Sequence, residues 1–113
     1  MHEVSLCKGI LRIIEEQALT QKFNKVKTVF LEIGTLANVE IEALRFAFPL
    51  VIRDSIADQA ELRVIEQAAK ARCLSCSRVV EIRRRLDPCP HCGGLSLKVT
   101  SGDGLQLKEL EVE

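Results

Sequence analysis

Apolar residues recur along residues 4–19 with helical spacing. Val4, Cys7, Leu11, Ile14 and Ala18 fall on one stripe, flanked by Leu6, Ile10 and Ile13, which predicts an amphipathic helix with one face turned to a core. Cys7 on that stripe reads as a small buried hydrophobe rather than a reactive thiol. The pattern then changes period. Lys25–Ile33 is β-branched and aromatic and stops at Gly34, as expected of a strand with both faces partly covered. Asn38 is placed to cap a second helix whose Ile41, Leu44, Phe48 and Ile52 share a face. Glu40 and Glu42 lie in its first turn, where the helix dipole favours acids, and Pro49 should kink or shorten it.

A second strand is expected at about Ala60–Glu66, with Leu62 and Val64 alternating against charged neighbours, and short strands at Arg78–Ile82 and Leu97–Thr100. The last stretch follows the turn-forming Gly102-Asp103-Gly104. Its apolar phase shifts by one between Leu107 and Leu110, which a β-bulge at Lys108–Glu109 would absorb. The order helix, strand, helix, strand, insert, strand predicts an α+β fold: a small three-stranded sheet with two helices on one face, interrupted before its final strand by a zinc-ribbon-like module. The expected domains are residues 1–69 together with 102–113, and a metal module at 70–101.

The inserted module carries the chemistry. Cys73-Leu-Ser-Cys76 and Cys89-Pro-His-Cys92 are separated by twelve residues. Each C-x-x-C turns two sulfurs toward one point, and two such turns supply the four thiolates that a structural Zn²⁺ takes in tetrahedral geometry. Pro88 and Pro90 stiffen the second loop, while Gly93 and Gly94 permit close backbone approach. A thioredoxin-like redox motif would need a helix after one pair, and neither pair has one. Two disulfides would suit an exported chain, yet the N-terminus shows no basic-then-apolar signal. An iron centre has the same ligand geometry, because spacing alone does not select the metal. His91 reads as exposed or as a neighbour of the site, since four thiolates already complete the tetrahedron.

Composition narrows the function classes. The 113 residues are 47% hydrophobic and 28% charged, with no apolar run long enough to span a bilayer. Formal net charge is zero, which argues against a general nucleic-acid binder. The charge is uneven: residues 70–101 carry seven Lys/Arg against Glu81 and Asp87, and the rest of the chain carries nine against fourteen. Four thiolates on Zn²⁺ would leave −2 at the site, so Arg72, Arg78, Arg83, Arg84 and Arg85 partly offset it. The cluster reads as a solvated basic face or as a docking surface for an acidic partner. No catalytic carboxylate pair or phosphate loop is present, and the expected metal site has no open position, so no enzyme is predicted.

At the other end the chain reads Met1-His2-Glu3. His2 is too bulky for removal of the preceding methionine, so Met1 is expected to stay. A free α-amine, deprotonable backbone amides and the His2 imidazole then offer nitrogen donors in the tetragonal set that suits Ni(II) or Cu(II).

Together these features resemble the HypA/HybF family of nickel-insertion accessory proteins of [NiFe]-hydrogenase maturation, and most nearly its HybF branch. The resemblance is carried by the opening M-H-E with S-L-C behind it, LEIG at Leu31–Gly34, and R-F-A-F at Arg45–Phe48. The C-x-x-C…C-P-x-C loop and a closing G-D-x-L…K-x-x-E-V-E complete it. It implies Ni²⁺, transferred, at Met1, His2 and Glu3, and structural Zn²⁺ at Cys73, Cys76, Cys89 and Cys92. Glu40 falls where the family often has an acidic residue near the nickel end. It further implies a cytoplasmic metallochaperone working with a HypB-like GTPase and a hydrogenase large subunit, without nucleic acid or membrane; a homodimer is compatible with it. Two competing readings are a zinc-ribbon nucleic-acid or protein-interaction module built on Arg83–Arg85, and a rubredoxin-like iron carrier. The first is weakened by the lack of Tyr and Trp and by four Phe that all lie outside 70–101.

Overall fold

The structure is a computed structural model and describes residues 2–113. Its elements run α1 (His2–Gln21), β1 (Val26–Gly34), α2 (Ile41–Val51), β2 (Glu61–Gln67), β3 (Ala69–Cys73), β4 (Val79–Ile82), β5 (Leu97–Ser101) and β6 (Leu105–Val112). They form two three-stranded sheets, ordered β2-β1-β6 and β4-β3-β5. The strands of the second sheet fall between β2 and β6 in the chain, so the α+β architecture with an inserted module is the one observed.

The contacts divide the chain into two compact units. The first comprises Met1–Leu31, Val39–Val64 and Leu107–Glu113. In it α1 buries Cys7, Ile10 and Ile14, and α2 buries Leu44, Ala47 and Phe48. The buried line of α1 thus runs through Ile10, where the stripe read from sequence passed through Leu11, and Ile13 remains 44% exposed. The two helices pack on each other, and the Cys7 thiol points at the Leu44 carbonyl, 3.9 Å away. Burial pushes the Cys7 pKa up, and the nearby Glu3 carboxylate adds to the effect. Cys7 is therefore the packed hydrophobe that its place on the helix predicts.

Central β1 buries Val26, Val29 and Leu31. Its one buried polar side chain, Thr28, is satisfied by donating to Glu111 Oε1 at 2.8 Å. On β6 the half-buried positions are Leu105, Leu107 and Leu110, so the phase change read from sequence is present in the burial pattern.

Asn38 does not cap α2. It adopts φ +57°, and the residue at the cap position is Glu40, in extended conformation and without a side-chain cap hydrogen bond. The Glu40 carbonyl accepts the first helical bond, from Leu44 N–H at 2.9 Å. Tertiary burial of Leu44 and Phe48 holds this helix without a polar cap. Pro49 sits inside it, two residues before its end, and the Ile52 N–H still reaches the Phe48 carbonyl at 3.1 Å.

The second unit comprises Glu32–Asn38 and Ile65–Gln106. Residues 34–36 are tied into it by backbone bonds: Gly34 N–H to the Gly104 carbonyl, Thr35 N–H to Gln67, and Leu36 N–H to Gly102, at 2.8–2.9 Å. Leu36, Val80, Leu97 and Val99 pack on a small core of Ala69, Ala71 and Ile82. Strand β3 pairs antiparallel with both β4 and β5, with Ala71 opposite Val80 and Val99.

Candidate metal centre

A core of three buried side chains is too small to hold forty-odd residues by apolar burial alone, and small units of this kind need a staple. The staple is built from two turns of nearly identical construction. In the first, Cys73 N–H donates to the Arg78 carbonyl at 2.9 Å and Ser77 N–H donates to the Cys73 carbonyl at 2.8 Å. In the second, Cys89 N–H donates to the Gly94 carbonyl and Gly93 N–H to the Cys89 carbonyl, both at 2.8 Å. The residue after each second cysteine takes a left-handed conformation, Ser77 at φ +65° and Gly93 at φ +77°. Gly94 is favoured for a different reason. A Cβ there would lie 3.0 Å from Ser75 Oγ and 3.3 Å from Cys92 Sγ, inside the space the sulfurs use.

These turns bring Cys73, Cys76, Cys89 and Cys92 together, with all four Sγ atoms within 4.8 Å of one another. Two contacts cross from one turn to the other, Cys73 to Cys92 at 3.6 Å and Cys76 to Cys89 at 3.9 Å. A tetrahedron with Zn–S bonds near 2.3 Å has S–S edges of about 3.8 Å. The four-cysteine cluster therefore fits a structural zinc ion, with no His, Asp or Glu among its members. His91 is exposed and outside the cluster.

The electrostatics of the sulfurs match that use. Cys73 is lowered to about 6, first by the Cys76 backbone N–H donated to its sulfur and then by that of Ser75, against an opposing effect of burial. Cys89 is lowered in the same way, chiefly by the Cys92 backbone N–H and then by that of His91. For Cys92 the largest influence, the Gly94 N–H at 3.4 Å, favours the thiolate. The neighbouring Cys73 sulfur, burial, and the Cys76 and Cys89 sulfurs outweigh it and push Cys92 up to about 12. Turn amides thus stabilise the first thiolates, while the last proton stays until a cation compensates the accumulating negative charge.

The sequence-derived nickel residues are elsewhere. His2 is exposed and opens α1, Glu3 is half-buried in its first turn, and Met1 lies outside the described residues. Glu40 is exposed at the start of α2. The local signal that sequence reasoning missed is β3: its alternation Ala69-Lys-Ala71-Arg-Cys73 carries the first ligand turn on the central strand of the second sheet.

An α+β unit joined to a closed four-thiol cluster defines a small metal-binding protein. The family described as "Hydrogenase/urease nickel incorporation, metallochaperone, hypA" matches residues 1–112. The hydrogenase maturation factor HypA of Azotobacter chroococcum mcd 1 is 53% identical over 113 residues, covering all of both chains. That of Bradyrhizobium sp. (strain ORS 278) is 54% identical over the same full length. The fold agrees with the solution structure of the Ni metallochaperone HypA from Helicobacter pylori at TM-score 0.75 and 22% identity, covering 97% of this chain and 96% of that one. The chain belongs to the HypA family.

Proposed function

We propose that this protein is a non-enzymatic, cytoplasmic nickel carrier that accepts Ni(II) at Met1, His2 and Glu3 and delivers it to the large subunit of a [NiFe]-hydrogenase, working with a HypB-like GTPase. In this reading Cys73, Cys76, Cys89 and Cys92 hold a resident zinc. Residues 70–101 form the zinc-binding module, and 1–69 with 102–113 form the nickel-binding domain.

The observation that carries the reading is the closure of the sulfur cluster. Four thiolates fill a tetrahedron and leave no position through which a cargo ion could exchange, so a transferred metal needs a second, open donor set. The start of α1 offers one. The first amides of a helix have no intrahelical acceptor, so those of His2 and Glu3 can lose their protons to a metal without breaking the helix ladder. The helix dipole places partial positive charge at the same point and disfavours a bare cation there. Deprotonated amides offset that repulsion, so affinity should be moderate and should rise with pH, as suits an ion that must be passed on.

Replacing His2 with Gln, which is also too bulky for removal of Met1, tests the reading. Isothermal titration of the tag-free variant should show loss of the specific nickel site with zinc content unchanged. Wild-type nickel binding by His2→Gln would remove the N-terminal site.

A further inference from the structure

Within the second unit, residues 35–38, the three arginines Arg83, Arg84 and Arg85, and Asp103 line a cleft of about 610 Å³, a size in the range of ligand clefts. Three adjacent guanidinium groups repel one another, and none of them forms an ion pair with a described residue. The acid nearest in sequence does not neutralise them. Asp87 Oδ2 instead accepts the backbone N–H groups of Arg83 and Arg84 at 3.1 and 3.0 Å, and Asp87 N–H donates to the Arg84 carbonyl at 3.2 Å. The backbone of the arginine run is thereby fixed while its side chains stay exposed.

The rest of the cleft is equally set. Leu36 is anchored on the Ala69, Ala71 and Ile82 core, and the backbone N–H groups of Thr35 and Leu36 are already bonded. The side chains of Thr35 and Asn38 have no hydrogen-bond partner among the described residues. Leu86, directly after the arginines, is 93% exposed. The cleft therefore combines three unpaired arginines against a single acid, Asp103, with free side-chain hydrogen-bonding groups on a preformed backbone, and the exposed Leu86 follows its arginines in the chain.

We propose that this cleft docks an acidic, extended peptide segment of a protein partner, its carboxylates meeting Arg83–Arg85 and a neighbouring apolar side chain meeting Leu86. Arginine's fork-shaped donor set suits carboxylates, and complementary charge of this kind speeds and orients encounter. A free phosphate would be expected to need a buried, convergent donor, and all three arginines are exposed. A nucleic acid would find no Phe, Tyr or Trp in residues 70–101 on which to stack its bases. The inference rests on the carrier reading, because a carrier must meet protein partners.

The test is titration of the zinc-loaded full chain with a capped heptapeptide in which glutamate alternates with serine and leucine, followed by ¹⁵N amide shifts. Shifts are expected at residues 35–38 and 83–86 and should weaken as salt rises. The glutamine counterpart should produce none. Arg83→Glu, Arg84→Glu, Arg85→Glu together should weaken binding by at least about tenfold, and Arg84→Gln alone by about threefold. Arg72→Glu with Arg78→Glu, outside the cleft, should cost less than about threefold. Shifts elsewhere, equal binding of the glutamine peptide, or an equal loss from the Arg72/Arg78 pair would overturn the proposal. So would inorganic phosphate or a short DNA duplex moving the same amides at lower concentration. Nickel and zinc content are measured on every sample: nickel lost from wild type would count against the carrier reading, whereas peptide binding lost with nickel intact counts against the cleft alone.

Discussion

The sulfur cluster and the nickel site proposed at the start of α1 would be opposite solutions to holding a metal. In the cluster, both cysteine turns repeat the same two backbone hydrogen bonds, and turn amides draw the Cys73 and Cys89 pKa values down. The donors are soft, mutually crossed and complete. At the start of α1, His2 is exposed and is followed by the first turn of a helix. The contrast teaches that a resident ion and a transferred ion ask for different surroundings. The first is served by closure and by donors arranged before the metal arrives, and the second by exposed donors that can leave one at a time.

The largest effect should come from breaking the closed side. Cys92→Ala leaves three sulfurs and removes the crossed contact to Cys73. Structural zinc contributes on the order of 10 kcal/mol to folding in small zinc-dependent domains, and the second unit has only a small core to replace it. Limited proteolysis should cleave residues 70–101 readily while the first unit resists. A zinc-loaded Cys92→Ala chain with undiminished protection would show that the cluster is not the staple.

The converse experiment attacks the first unit. Phe48 is 1% exposed, and truncation of a buried Phe typically costs about 3–5 kcal/mol. Phe48→Ala should lower the denaturant midpoint of the helical transition, followed by far-UV circular dichroism, and leave zinc content at the wild-type level. Zinc loss in step with helix loss would mean that the two regions do not behave independently.

Acid should separate them more gently. Cys73 has its pKa lowered from 9.0 to about 6, so in the metal-free fold its thiolate contributes stability that is full above pH 9 and disappears as pH falls through about 6. Cys92, raised to about 12, has the opposite sign: its contribution is full below 9 and is lost as pH rises toward 12. Zinc binding requires both as thiolates, so acidification must expel the ion with proton uptake. Because bound zinc competes with protons, release should fall below the metal-free Cys73 value of about 6; a zinc indicator dye should report it at progressively higher pH as a competing chelator is added, with the helical signal of α1 and α2 persisting. Zinc release that does not depend on pH would contradict the assignment of these sulfurs as its ligands.

How much of this was legible in the sequence depended on how strongly each segment was patterned. Both helices and strands β1, β2 and β6 were read to within a few residues, because apolar spacing is set by burial on one face. Strand β3 was missed, since Ala69-Lys-Ala71-Arg presents small and charged residues with little β preference and becomes a strand only through pairing on both sides. Asn38 was read as a cap from its residue type, but the chain at 34–36 is held by Gln67, Gly102 and Gly104, contacts that no local pattern announces. The cysteine spacing made the cluster legible as a set. Its crossed sulfur contacts and the left-handed Ser77 were not, because both follow from how β3 and the two turns meet.

The division of labour itself is tested most directly by nickel titration of the chain with its native N-terminus and with an N-terminal tag, zinc being measured on the same samples. The tag keeps every side chain and removes only the free amine and its chelate geometry. The native chain should bind nickel specifically, and the tagged chain should lose that site while both retain equal zinc. A tagged chain that binds one equivalent of nickel as tightly as the native one would contradict the terminal-amine site and leave His2 a side-chain ligand at most.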